Sequence, residues 1–111
     1  MTAANLKNLM SVLLVATGVL HLVVALFGAP AALQGPLSVF GFLYAALGVW
    51  VRGSGRPAVL TAIAVTALGL VLGGSNYLEH GGPKTLPVML LIDVIILAVG
   101  AMWVMKSGKA T

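Results

Sequence analysis

The chain has 111 residues, 60% of them apolar and only 7% charged, with no cysteine and a net charge of +4. Soluble domains carry about 25% charged residues, and a soluble fold of this length has too little interior to hide so much apolar surface. The sequence is that of an integral membrane protein without disulfides, thiolate metal sites or thiol chemistry. Its few basic residues sit at the ends of apolar runs, which suits lipid headgroups and topology and not a nucleic-acid surface.

Four apolar runs approach the roughly 20 residues needed to cross a hydrocarbon core of about 30 Å. They predict helices over 9–28, 37–51, 57–78 and 86–105. The first, preceded by Lys7, is read as a retained helix. It is too long for a signal-peptide core, and no small-x-small cleavage site leads into a polar mature domain. The second is short unless the flanking "AALQGP" begins it. The breaks are "GAPAALQGP", "RGSGRP" and "EHGGPK", where glycine and proline end helices by φ freedom and by a missing N–H. Pro57 and Pro87 suit first-turn positions. The expected architecture is all-α, a four-helix transmembrane bundle in one domain over residues 1–111. Almost no chain is predicted outside the membrane, so function is expected inside it.

Lys7, Arg52, Arg56, Lys106 and Lys109 fall on one side, against Lys84 offset by Glu79 on the other. This five-to-one bias predicts both termini in the cytoplasm, in a bacterial or archaeal inner (plasma) membrane. Trp50 and Trp103 are placed at the cytoplasmic interface, where indole rings favour the headgroup level. "ALGVWVRGSGR" (46–56) and "AVGAMWVMKSGK" (98–109) share a Gly, Trp-Val, basic, Gly, basic order. Two readings stay open: a duplicated helical hairpin, or a common way of leaving the membrane.

The informative feature is Asp93, inside "LLIDVIILAVG" (90–100). An aspartate at the centre of a membrane helix costs about 2.5–3.5 kcal/mol on insertion scales, so it is expected to face the bundle interior or a wet cavity. At a rise of about 1.5 Å per residue, Asp93, His21 and Tyr44 lie roughly 10–12 Å from the outer boundary and Asn76 is shallower. The expectation is a polar cluster of His21, Tyr44, Asn76 and Asp93 in the outer half of the bundle, with His21 and Asp93 coupled. Tyr77, Glu79 and His80 of "NYLEH" form its rim. Such a cluster either pins the helices together or binds a ligand, proton or substrate.

Other chemistry finds less support. Haem ligation would draw on His21 with His80 or Met89. A metal site from His21, Asp93, Glu79 and His80 has suitable ligand types but no spacing that sets two on one helix face beyond the adjacent Glu79-His80, and none is assigned. Ser11, Ser38 and Ser75 have no elbow or triad context, so no catalytic residue is assigned. The five methionines are irregularly spaced packing. "GLVLG" (69–73) with Ala58, Ala62 and Thr66 gives the third expected helix a small-residue stripe, suited to close packing within the bundle or against another copy.

Length and helix count match the small multidrug resistance transporters. Those carry a membrane-embedded glutamate in the first helix, where this chain has only His21. "GVLHLVVALFG", "FGFLYAALGVWVRGSGRPA" and "LLIDVIILAVG" resemble DoxX-like small membrane proteins. That resemblance implies a four-helix bundle associated with membrane oxidoreductase complexes and carries over no catalytic residues. The functional expectation is a small integral subunit or binding module of a larger, redox-linked membrane assembly, more a non-enzyme than an enzyme. Its partners would be lipids and other membrane subunits or a homo-oligomer. The alternatives are a small proton-coupled transporter using Asp93 and His21, and a haem- or quinone-binding redox protein.

Overall fold

The computed structural model describes residues 2–27, 31–53, 55–81 and 86–109. They form four helices, α1 (Ala3–Phe27), α2 (Ala31–Gly53), α3 (Arg56–His80) and α4 (Leu86–Lys109). Each is long and apolar enough to cross a membrane. The turn residues Pro30, Ser54, Gly82 and Lys84 lie outside the described residues.

The helices run beyond the apolar runs because local chemistry extends them. Thr2 starts α1 early, its Oγ1 accepting the Asn5 N–H at 3.1 Å, which caps an otherwise unsatisfied donor. "AALQGP" does begin α2, with Pro36 inside the helix. A proline there, past the first four residues, leaves the Ala32 carbonyl without its helical N–H donor. Pro57 stands in the first turn of α3, where its missing N–H costs nothing. Gly81 closes α3 with φ 71° and donates its N–H to the Tyr77 carbonyl at 2.9 Å, a left-handed stop that favours glycine.

Each helix packs against its chain neighbours and α1 also packs against α4, so the order around the bundle is α1–α2–α3–α4. One core gathers Leu6, Met10 and Leu14, Leu47 and Val51, Ala58 and Ala62, and Ile96 and Trp103. These residues come from the start of α1, the end of α2, the start of α3 and the end of α4, so successive helices are antiparallel and the described chain starts and ends at one end of the bundle. The molecule measures 46 × 23 × 20 Å, and large apolar side chains on all four helices face outward, among them Val12, Phe42, Val49, Val71 and Leu91. That is the surface of a bundle solvated by lipid.

The closest helix contact is between α1 and α2. A Cβ on Gly18 would stand 2.7 Å from the backbone nitrogen of Ala45 and 2.7 Å from the carbonyl oxygen of Gly41. A Cβ on Gly48 would stand 2.9 Å from the Ser11 carbonyl oxygen. Ser11 also donates its hydroxyl to the Gly48 carbonyl at 2.7 Å. Glycines let the two backbones touch, which is how membrane helices gain van der Waals contact without a hydrophobic drive.

Packing is uneven along the bundle axis. The buried residues of α3 are Ala58, Val59, Ala62 and Thr66; beyond Thr66 no described side chain of α3 is fully buried. The second core, at the far end, is made of Val24, Ala25, Leu37, Leu86 and Met89 from α1, α2 and α4 alone. The second half of α3 is therefore packed less deeply than the first, touching α2 and α4 around Gly69 and Gly73. Trp103 also departs from expectation. It is turned into the core, while Trp50 is exposed, so the two similar helix ends place their indoles in different surroundings.

Candidate functional site

Beside the second half of α3 lies a cavity of about 490 Å³. Its walls are mostly apolar, with Leu33, Leu37 and Phe40 on α2, Leu72 and Gly73 on α3, and Met89 and Leu90 on α4. Three polar side chains reach it: His21 from α1, Asn76 from α3 and Asp93 from α4. Ala32, Pro36 and Leu72 line it and are also exposed, so its mouth lies between α2 and α3.

Asp93 is only 2% exposed, and its Oδ1 has no hydrogen-bond partner among the described residues. Tyr44 is fully buried behind the cavity wall and does not line the cavity itself. Its hydroxyl is a near neighbour of the Asp93 carboxyl but makes no well-formed hydrogen bond to it, and that hydroxyl too lacks a partner. Tyr44 is 13 residues into α2, deeper than its expected depth. A helical side chain leans toward the N-terminus of its own helix, and for α2 that direction leads out to Asp93 and His21. The His21 and Tyr44 rings meet edge-on, centroids 5.0 Å apart, and Phe40 stacks beyond at 5.8 Å. His21, Tyr44 and Asp93 thus form a chain of neighbours, in which no hydrogen bond joins His21 directly to Asp93.

The His21 ring is oriented by its own helix. Nδ1 lies 2.7 Å from the Thr17 carbonyl oxygen and 3.3 Å from the Thr17 hydroxyl. A carbonyl oxygen only accepts, so Nδ1 carries the proton. In the neutral ring Nε2 is then the acceptor, and it is the atom free to meet what enters the cavity.

Asn76 stands half-buried on the α3 wall, whereas Tyr77 and Glu79 are exposed and outside the cavity lining. The His80 side chain lies outside the described residues. Gly69 and Gly73 of the small-residue stripe are used within the bundle. A Cβ at Gly69 would meet the Tyr44 hydroxyl, and one at Gly73 would stand 3.2 Å from Leu90 Cδ2. Gly69 therefore makes the room in which the Tyr44 hydroxyl sits, a role the stripe alone did not signal. Gly69→Ala is expected to cost about 1–3 kcal/mol by overpacking, while Gly74→Ala, with open space around it, should be neutral. Thermal unfolding in detergent distinguishes the two; equal stability would show that Tyr44 does not depend on the gap.

The residue types tolerate several guests. Met89 borders the same cavity as His21, so a haem could find both axial donors there. A quinone-like headgroup would find a donor in the Asn76 amide. Among the described residues no three His, Asp or Glu side chains gather into a metal-sized group.

Fold and surface together define a small multi-pass membrane protein of the four-helix-bundle type. No family model, no curated protein and no solved structure matches the chain.

Proposed function

We propose that this protein is a membrane-embedded binding module, an integral subunit of a larger membrane assembly, that holds a small lipophilic molecule in the cavity between α2, α3 and α4. The observation that carries the reading is Asp93, a carboxyl 2% exposed, unpartnered at Oδ1 and lining that cavity. A buried polar group without a partner costs about 1–3 kcal/mol, more if charged, and intramembrane carboxyls mark ligand and ion sites. The link to a redox assembly rests on the DoxX-like sequence likeness alone.

Proton-coupled transport is the second reading, favoured by the presence of His21 and Asp93 on one cavity. Liposomes holding the purified protein should show no pH-gradient-driven flux of small cations or drugs. Robust flux that vanishes in Asp93→Asn would replace the subunit reading with the transporter. The five-to-one bias of basic residues supports cytoplasmic termini. Terminal tags should then report from inside and a reporter at Gly81 from outside, and the reverse pattern would invert the orientation.

A further inference from the structure

The cavity asks for a particular chemistry in its guest. Asp93 is the one buried acidic side chain among the described residues, since Glu79 stands exposed in the last turn of α3. The basic residues Lys7, Arg52, Arg56 and Lys106 all belong to the opposite end of the bundle. His21 shares the cavity, but its Nδ1–H is committed to Thr17, and its neutral Nε2 is a second acceptor. The deep end therefore offers the Asp93 carboxyl and an imidazole lone pair, and a cationic donor is the guest that would let the buried carboxyl ionise. A buried carboxylate is tolerated when it is paired and hydrogen-bonded, and no lysine or arginine of the described residues supplies that pairing. The walls beside it are aliphatic or aromatic, with Phe40 lining the cavity and Tyr44 packed against it. Aromatic faces add attraction for a cation.

We infer that the cavity's guest is a lipophilic ammonium ion, a protonated amine on an apolar body, with its N–H donated to Asp93 and its body against Phe40, Leu72 and Met89. This rests on the ligand-binding reading and sharpens it to a substrate class. An anionic or purely acceptor headgroup would meet the carboxylate with repulsion or an unmet lone pair. The two sources of such an ion are a free amine and an aminophospholipid headgroup.

The test uses the full chain in phosphatidylcholine nanodiscs. The probes are 4-phenylbutylamine, which is protonated at neutral pH, and its uncharged counterpart 4-phenylbutan-1-ol. Binding is read as the concentration-dependent rise in unfolding temperature. The amine should bind at least tenfold more tightly than the alcohol. Asp93→Asn should abolish that preference and Asp93→Glu retain it, with the wild-type comparison standing alone if a variant fails to fold. Ala32→Trp, which fills the mouth from the α2 side, should remove binding of both probes. Displacement of the amine by phosphatidylethanolamine in the disc would support the same chemistry with a lipid as its source, and no displacement would support a free amine. Equal binding of amine and alcohol, both lost in Ala32→Trp, would overturn the ammonium inference and leave the binding module standing. Binding of neither probe, in wild type as in Ala32→Trp, would overturn both.

Discussion

Replacing Gly18 with alanine is expected to destabilise the bundle by about 1–3 kcal/mol, the usual cost of overpacking. The reason lies in what the new methyl meets. Its neighbours are the Ala45 nitrogen and the Gly41 carbonyl oxygen, each at 2.7 Å, and both are backbone of α2. Backbone cannot rotate away as a side chain can, so α1 and α2 must separate. Separation also lengthens the Ser11–Gly48 hydrogen bond, now 2.7 Å. Gly41→Ala should behave alike, since its Cβ would stand 2.9 Å from the Gly18 carbonyl oxygen. Gly74→Ala is the control and should be neutral or slightly stabilising, because alanine outscores glycine inside a helix by about 0.5–1 kcal/mol. Unfolding in a denaturing detergent series measures all three. A Gly18→Ala protein as stable as the control would mean that the two backbones do not touch.

The second large effect concerns Asp93 and His21. The loss from Asp93→Asn and the loss from His21→Ala are expected to be non-additive by about 0.5–3 kcal/mol, as for groups sharing a network. The structure assigns the link to Tyr44, whose ring meets His21 at 5.0 Å and whose hydroxyl neighbours Asp93. The same cycle in a Tyr44→Phe background should therefore fall to within about 0.3–0.5 kcal/mol of additivity. Simple addition in the native background would mean that the residues border one cavity without sensing each other. Coupling that survives in Tyr44→Phe would instead call for a direct path between them.

These two expectations differ in how far the sequence foretold them. Asp93 was visible because a charge inside an apolar run has one physical excuse, a partner or a cavity. His21 and Asn76 followed from depth, which needs only the helix rise. What depth cannot give is rotation about the helix axis. α3 carries a small-residue stripe from Ala58 to Gly73, yet nothing in that pattern says that full burial of its side chains stops at Thr66. The same gap explains the glycines. Fourteen glycines offer many close-packing candidates. The regular Gly69–Gly73 spacing drew attention, while the tightest contact uses Gly18, Gly41 and Gly48 from two different helices. Trp103 is a further case. An indole near a helix end satisfies interface and core equally well on paper, and only the assembled bundle shows Trp103 joining the buried cluster that holds Leu6, Val51 and Ala58.

The central claim is that a lipophilic molecule enters between α2 and α3 and comes to rest beside Asp93. Photolabelling of the lipid-reconstituted protein with a small apolar diazirine, followed by mass-spectrometric mapping, tests it directly. Saturable adducts should concentrate on Leu33, Leu72 and Met89, which line the cavity, and should disappear in Ala32→Trp. Adducts spread evenly over outward-facing side chains such as Val12, Val49 and Leu91, unchanged by Ala32→Trp, would contradict it.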